Sequence, residues 1–401
     1  MTATHRRPKK AKQSAARRRH PSGRVTPDGR GPKRPVGLRT PVFLALFAAT
    51  VSLTAFGAVM VLSASAAPSI SETSSAWSLF RRQLMWVGLG TVAMFVTMRI
   101  DYRRWRVLAV PSLVGSTVLL VLVVIPGFGV TANGATRWLG FGGVTLQPSE
   151  FVKLAMVLFV AELLSRPGRP IEKTAITVRP ITFVTALITA LLVLQPHLGA
   201  ILVIGAIVFT MMFLAGAPLG HLAGLGFGGG FLAGGMVFAT PWRRDRFLAF
   251  LDPTADPTGA GYQSLQSLHA ITSGGWSGVG LGESYAKWGF LPFAHTDFIF
   301  AIIAEELGLI GAASTIVVFV VIGCAGILAA TRAPDRFGML LAVGITTWVV
   351  VQAFLNLGAV MALLPVTGVT LPFLSLGGSS VVVTLAAMGI LMNIARQGTP
   401  S

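Results

Sequence analysis

Charge is what this sequence most lacks. Only 11% of its 401 residues are Asp, Glu, Lys or Arg, 53% are hydrophobic, and the mean hydropathy is +0.73. Soluble domains carry about 25% charged residues. So few charges cannot cover a water-facing surface, which excludes a soluble enzyme, a disordered chain and a fibrous one. Cysteine is almost missing too: the single Cys324 lies in an apolar run, ruling out a disulfide framework and a zinc site built on cysteine pairs. The six histidines are scattered without metal-ligand spacing, so no metal site is read. What remains is an all-α polytopic membrane protein, in which no β-sheet is expected.

The charge that is present is unevenly placed. Residues 1–40 hold 13 Lys/Arg and one acid, Asp28, whereas the other 361 residues hold 19 Lys/Arg and 13 acids. This Arg-, Lys-, Pro- and Gly-rich segment cannot bury enough surface to offset chain entropy and is expected to be a disordered tail. Anionic lipid headgroups are its physical default partner, at about 1 kcal/mol per basic residue near the surface, in preference to nucleic acid. It is no signal peptide, because residues 41–62 are long enough to span.

Apolar runs of about 20 residues place spans at 41–65, 83–100, 107–126, 148–164, 180–195, 198–215, 219–240, 298–330, 337–362 and 371–394. Ten helices put both termini on one side. The basic tail, Arg99/Arg103/Arg104/Arg106, Arg166/Arg169/Lys173/Arg179, Arg332/Arg336 and Arg396 then share that side, which the positive-inside rule makes cytoplasmic. The expected organisation is a tail over 1–40, a ten-helix membrane domain over 41–395 and a short cytoplasmic end over 396–401. Residues 241–297 form the one long outer loop, with short helices expected at its apolar patches, 247–251 and 288–293. Connections of that length are usually functional.

Ions within spans are expensive and therefore functional candidates. Glu150 and Lys153 open the fourth span at spacing i, i+3, so their side chains can meet. They are either a self-compensated pair at a helix start or the polar floor of an outward-facing cavity. Asp297 stands where the long loop meets the eighth helix, either as a cap at the positive end of the dipole or as a catalytic carboxylate. Glu305 and Glu306, about two turns deeper, are expected to hydrogen-bond between helices. In the loop, Arg243, Arg244 and Arg246 offer forked donors suited to phosphate, and Lys287 adds a cation; arginines at a bilayer rim also snorkel to headgroups. The Gly278-Val279-Gly280-Leu281-Gly282 run has no strand before it and is weak evidence for a nucleotide.

Several strings together resemble the SEDS (shape, elongation, division and sporulation) family, the FtsW/RodA polymerases: Ser63-Ala64-Ser65, Phe80-Arg81-Arg82-Gln83, Asn133 to Trp138, Gln147-Pro148-Ser149-Glu150, Gly261-Tyr262-Gln263-Ser264, Ala294 to Phe300, Glu305-Glu306-Leu307-Gly308 and Leu371 to Ser380. They run in family order over about 355 residues, and the tail and the 276–287 loop resemble the division-type branch more than the elongation-type one. The resemblance implies a glycosyltransferase that polymerises lipid II, the undecaprenyl-pyrophosphate-linked precursor, at the outer face of the cytoplasmic membrane, at the division septum. It also implies Asp297 as the catalytic acid of the His-Thr-Asp-Phe string, and Arg137, Glu150 and Lys153 as cavity residues. Arg137, Lys153, Arg243, Arg246 and Lys287 become the candidate cations for pyrophosphate. No cofactor is tightly bound; Mg²⁺ or Mn²⁺ could bridge the diphosphate. The implied partners are a class B penicillin-binding protein and other division proteins. Two positions depart from the family's pattern: His197 stands where Asp is usual, and Phe293 where Glu is common. The alternatives in other classes are a flippase for the lipid-linked precursor and a non-enzymatic scaffold; within the family it is the elongation-type polymerase.

Overall fold

The computed structural model describes residue 2 and residues 40–398, apart from 74–76, 133–134, 142–143, 168–176 and 240. The basic segment 1–40 is outside these save for Thr2 and Thr40, as are Asn133, Gly134, Arg169, Lys173 and residues 399–401. All ten expected spans are helices. They are interrupted by two short ones in the outer loop, giving α1 (Pro41–Thr73), α2 (Ser78–Arg99), α3 (Trp105–Val124), α4 (Pro148–Ser165), α5 (Val178–Leu194), α6 (Leu198–Leu214), α7 (Leu219–Phe238), α8 (Pro241–Leu251), α9 (Tyr262–Ser273), α10 (Ile299–Thr331), α11 (Arg336–Val360) and α12 (Gly378–Gln397). Seven are long and apolar enough to cross a membrane by length and composition. Of the other three long ones, α5 has only 17 residues, and α2 and α4 each carry three charges.

Charge placement follows burial. In α12, 83% of the apolar window is buried, and in α11 61%, so these helices are central; in α7 only 11% is, and its Phe227 and Phe231 face outward. Small residues let the central helices approach closely: a Cβ on Gly90 of α2 would meet the Val382 backbone of α12, and one on Gly389 of α12 would collide with Met94 of α2. One end of the bundle is basic and cross-linked. Thr40 donates to the Ala395 carbonyl (3.0 Å), Arg103 to Gln397 (3.1 Å) and Asp335 (2.9 Å), and Arg336 to the Ala215 carbonyl (3.0 Å). Arg106 pairs with Glu162 at 2.6 Å. The two chain ends of the bundle therefore lie together, as an even number of spans requires.

At the opposite end the expectation of no sheet is overturned. Strands β1 (Gly129–Ala132), β2 (Ala135–Phe141) and β3 (Val144–Leu146) form an antiparallel meander between α3 and α4. The Asn133-Gly134 pair between β1 and β2 is the favoured sequence for a two-residue hairpin. Glycines at 127, 129, 134, 140, 142 and 143 masked the alternation that marks a strand.

The eighth span also differs from expectation, because α10 is two helices meeting at Gly308, which has φ 65 and ψ −163. Residues 298–306 are all buried, whereas Leu309 and Ile310 are exposed. Thirty-three helical residues would measure about 50 Å, well beyond the ~30 Å of hydrocarbon, so the part beyond Gly308 is the span. The break is filled by the glycine-rich loop: Val279 and Gly280 N–H donate to the Glu305 and Glu306 carbonyls (3.0 and 3.1 Å), and Leu309 and Ile310 N–H donate to the Gly275 and Trp276 carbonyls (2.9 and 3.2 Å). The Gly-x-Gly-x-Gly run is thus the partner of a broken helix. A Cβ on Gly278 (φ 83) would overlap the Glu306 carbonyl, while Gly275 (φ 53) has open space beside it. Gly275→Ala should cost only the left-handed backbone penalty, about 1–2 kcal/mol, and Gly278→Ala distinctly more, read as the fall in melting temperature of the detergent-solubilised protein. Equal losses would show that this seam does not hold the loop.

Candidate active site

A cavity of 460 Å³ opens between the sheet, α8, the approach to α10 and the start of α12. Its wall gathers Arg137, Arg243, Arg246 and Asp297 from stretches 160 residues apart. Arg137 reaches in from β2 and is braced by the α5–α6 turn, donating to the Gln195 carbonyl (3.3 Å) and the Pro196 carbonyl (2.6 Å). From α8, Arg243 donates to the Met236 carbonyl (3.2 Å), and Arg246 to Gln263 (3.3 Å), which donates to the Pro292 carbonyl (3.3 Å). Arg244 is exposed and near only its neighbour Asp245 (3.8 Å), as a headgroup-facing arginine would be.

Asp297 does not cap α10. The N-cap residue is Phe298, with no side-chain cap bond, so the structural alternative for this acid falls away. The turn before it is tight: Phe293 holds φ 57, and its carbonyl accepts from Thr296 (3.1 Å) and Phe298 (3.2 Å). From outside, Ser375 donates to the Thr296 carbonyl (2.6 Å), Leu376 N–H to the His295 carbonyl (3.0 Å) and Asn356 to the Asp297 carbonyl (2.7 Å). Opposite sits Gly368 (φ 69), where a Cβ would be 3.7 Å from Arg137 Nη1 and 3.8 Å from Asp297 Oδ2. Guanidinium and carboxylate therefore flank one glycine. Burial raises the Asp297 carboxyl to about 6, against the opposing pull of Arg137 and Arg246. Burial likewise lowers Arg137 and Arg246, partly offset by Asp297.

Beneath the cavity, Glu150 and Lys153 meet at 2.8 Å, and their side chains are 6% and 2% exposed. They do not line the cavity; Ser380, which does, donates to Glu150 at 2.9 Å. Lys153 also donates to Gln352 (2.6 Å) and lies over the Trp348 ring. The two form the ion pair that their spacing allows, and they reach the cavity wall only through Ser380.

Lys287 departs from its expected place. It is buried away from the cavity, pairs with Glu306 (3.2 Å) and donates to Ser63 (3.2 Å) and the Gly282 carbonyl. Glu305 accepts from Ser284 (2.5 Å) and from Tyr285 N–H (3.0 Å), and Ser63 of α1 donates to Glu306 (2.5 Å). Two adjacent buried acids need a cation, and the loop supplies it. The expected bond between helices is made by Glu306, to Ser63 of α1, whereas Glu305 bonds to the loop instead. His197 is buried outside the cavity, 2.9 Å from the amide of Gln147, which lines it. Residues not singled out by sequence include Gln352 and Asn356, amides four apart on α11; their rarity in an apolar span was the available signal. Among the described residues no group of three or more His, Cys, Asp or Glu could hold a metal.

Ten long helices, with a cavity at the end opposite the chain termini whose one acid, Asp297, shares the wall with Arg82, Arg137, Arg243 and Arg246, define a polytopic membrane protein with a charged pocket at one end. Residues 44–399 match the family model for the FtsW, RodA and SpoVE cell cycle proteins, and the chain belongs to this family. It is 43% identical over 318 residues to stage V sporulation protein E of Bacillus subtilis, covering 79% of this chain and 86% of that one. It is also 43% identical over 322 residues to a probable peptidoglycan glycosyltransferase FtsW of Geobacter metallireducens, covering 80% and 86%. Among solved structures it resembles a chain from a peptidoglycan synthase complex that coordinates polymerization and crosslinking (TM-score 0.72, 33% identity, 88% of this chain and 97% of that one). It also resembles the rod shape determining protein RodA of Thermus thermophilus (TM-score 0.65, 29% identity, 89% and 97%).

The floor carries its own prediction. Lys153→Met leaves Glu150 buried without its cation and should cost about 3–5 kcal/mol, whereas Glu150→Gln with Lys153→Met should recover most of that loss. Thermal unfolding of both variants measures it; a double variant no more stable than the single one would remove the ion pair as the reason these residues coexist.

Proposed function

We propose that this chain is a peptidoglycan glycosyltransferase that polymerises lipid II into glycan strands at the outer face of the cytoplasmic membrane, for septal wall synthesis in cell division. The observation that carries it is Asp297 and Arg137 flanking Gly368 in a cavity whose other arginines are Arg82, Arg243 and Arg246. The 4-hydroxyl of an acceptor sugar attacks the anomeric carbon of the growing chain. The bond to undecaprenyl pyrophosphate breaks with inversion. Asp297, as carboxylate, takes the hydroxyl proton, and its raised pKa suits a general base working near neutrality. The arginines stabilise the charge that builds on the departing diphosphate. A divalent cation would bind chiefly through the substrate's own phosphates and waters, as Mg²⁺ commonly does. A class B penicillin-binding protein is the proposed partner; one relative of known structure is a chain of a synthase complex that couples polymerization to crosslinking. The basic segment 1–40 is proposed as a lipid-binding cytoplasmic tail.

Asp297→Asn keeps the size of the side chain, and no side-chain cap bond to α10 is lost with it. Expression and folding should be normal, while polymer formation from lipid II by the purified protein, without a membrane gradient, falls about 10²- to 10⁴-fold. A flippase or scaffold would make no polymer in that assay even as wild type. The pH sign follows from the raised pKa: the base is charged above about 6 and protonated below it, so activity falls as pH drops through about 6. Arg246→Met removes a cation that favours the carboxylate and should move this acid limb upward.

Orientation is tested with single cysteines in a Cys324→Ser background. An impermeant thiol reagent on intact spheroplasts should label a cysteine replacing exposed Thr258 in the outer loop and spare one replacing exposed Pro334 between α10 and α11. The reverse pattern would invert the topology.

A further inference from the structure

Asn356 is 2% exposed, one turn along α11 from Gln352. Its Nδ2 donates to two main-chain carbonyls, Asp297 at 2.7 Å and Val369 at 2.6 Å. Both protons of one amide are committed, so the orientation follows from the network: turned over, its oxygen would face two acceptors. The two segments it joins are those that meet at the core of the site. One carries Asp297, and the other carries Gly368, beside which Arg137 Nη1 and Asp297 Oδ2 both lie. Gln352 repeats the device one turn away, donating to the Thr370 carbonyl (3.0 Å) while accepting from Lys153 (2.6 Å) and Trp348 (2.8 Å). The 367–370 segment is therefore pinned to α11 at two successive points, and the buried floor is tied to the acid through them.

We infer that Asn356 is a positioning residue for glycosyl transfer, one that fixes the spacing of the Asp297 carboxylate from Arg137 by clamping the main chain of Asp297 to that of Val369, next to Gly368. This rests on the reading of Asp297 as the base. Asn356 is not itself part of the cavity wall, so it touches no substrate; it acts through the position of the acid whose carbonyl it holds. A misplacement of about 1 Å can cost about 10²-fold in rate, and the loss should appear in turnover rather than in substrate affinity.

The test is steady-state polymerisation of lipid II by the full-length chain with Asn356→Asp, which keeps the shape of the side chain but has no donor when ionised. Asn356→Ser, which retains one short donor and adds no charge, runs beside it, with melting temperatures for both. The expected result is kcat lower by about 10²-fold in Asn356→Asp, KM within about threefold (less than the ~0.7 kcal/mol that threefold represents), and a smaller kcat loss in Asn356→Ser. Retained kcat in a folded Asn356→Asp, a parallel loss of kcat and KM, or misfolding of both variants overturns the inference, the last because a structural role then suffices. Asp297→Asn measured alongside separates the two readings. If it stays active, the base assignment fails; if it is dead while Asn356→Asp is fully active, only the positioning role falls.

Discussion

A main-chain polar group cannot be left unpaired in hydrocarbon, and at the break in α10 at Gly308 the outer loop answers that constraint. Opening the helix there frees the Glu305 and Glu306 carbonyls and the Leu309 and Ile310 N–H groups, and the loop at residues 275–280 takes up all four. The seam anchors the outer loop against the bundle. The helical piece on its near side, buried on every face, then carries Asp297 at its start as a rigid element. Lys287 and Ser284 lock the same seam from the side-chain direction by closing on Glu306 and Glu305.

Around this frame the charges sort by what they can pair with. Glu150 with Lys153, and Glu306 with Lys287, are deep and matched one to one, with hydroxyl or amide donors and acceptors completing them. The cavity is unbalanced: one carboxylate, Asp297, shares the wall with Arg82, Arg137, Arg243 and Arg246. Such an excess of buried positive charge is costly unless an anion offsets it. Arg137, Arg243 and Arg246 are held by main-chain carbonyls and a neutral amide, which orient the guanidinium groups without neutralising them.

Particular residues show where reading the sequence stops. Asp297 and Arg137 were legible because a charge beside a span is rare and because they fall in family strings; the loop arginines were legible as a basic cluster that breaks the charge pattern of the outer face. Lys287 was misplaced because its string is contiguous with the loop, and nothing in linear order says that the chain turns inward at Ser284 to meet Glu305 and Glu306. The glycine run was legible as permissive backbone, but not as the partner of a helix break about 30 residues on.

By itself the sequence determined that the chain lives in a bilayer, how many helices cross or line it and which end is basic, because hydropathy and charge are local properties summed over about 20 residues. It also singled out the acid. Only the tertiary structure decided that Asp297 caps nothing, that Glu150 and Lys153 lie below the cavity rather than in it, and that a hairpin sheet supplies Arg137. Those outcomes depend on contacts between segments 50 to more than 200 residues apart, made by single hydrogen bonds to the Gln195 carbonyl and from Ser380 and Asn356. A hydrogen bond has a length and a direction in space, and neither is encoded in the spacing of residues along a chain.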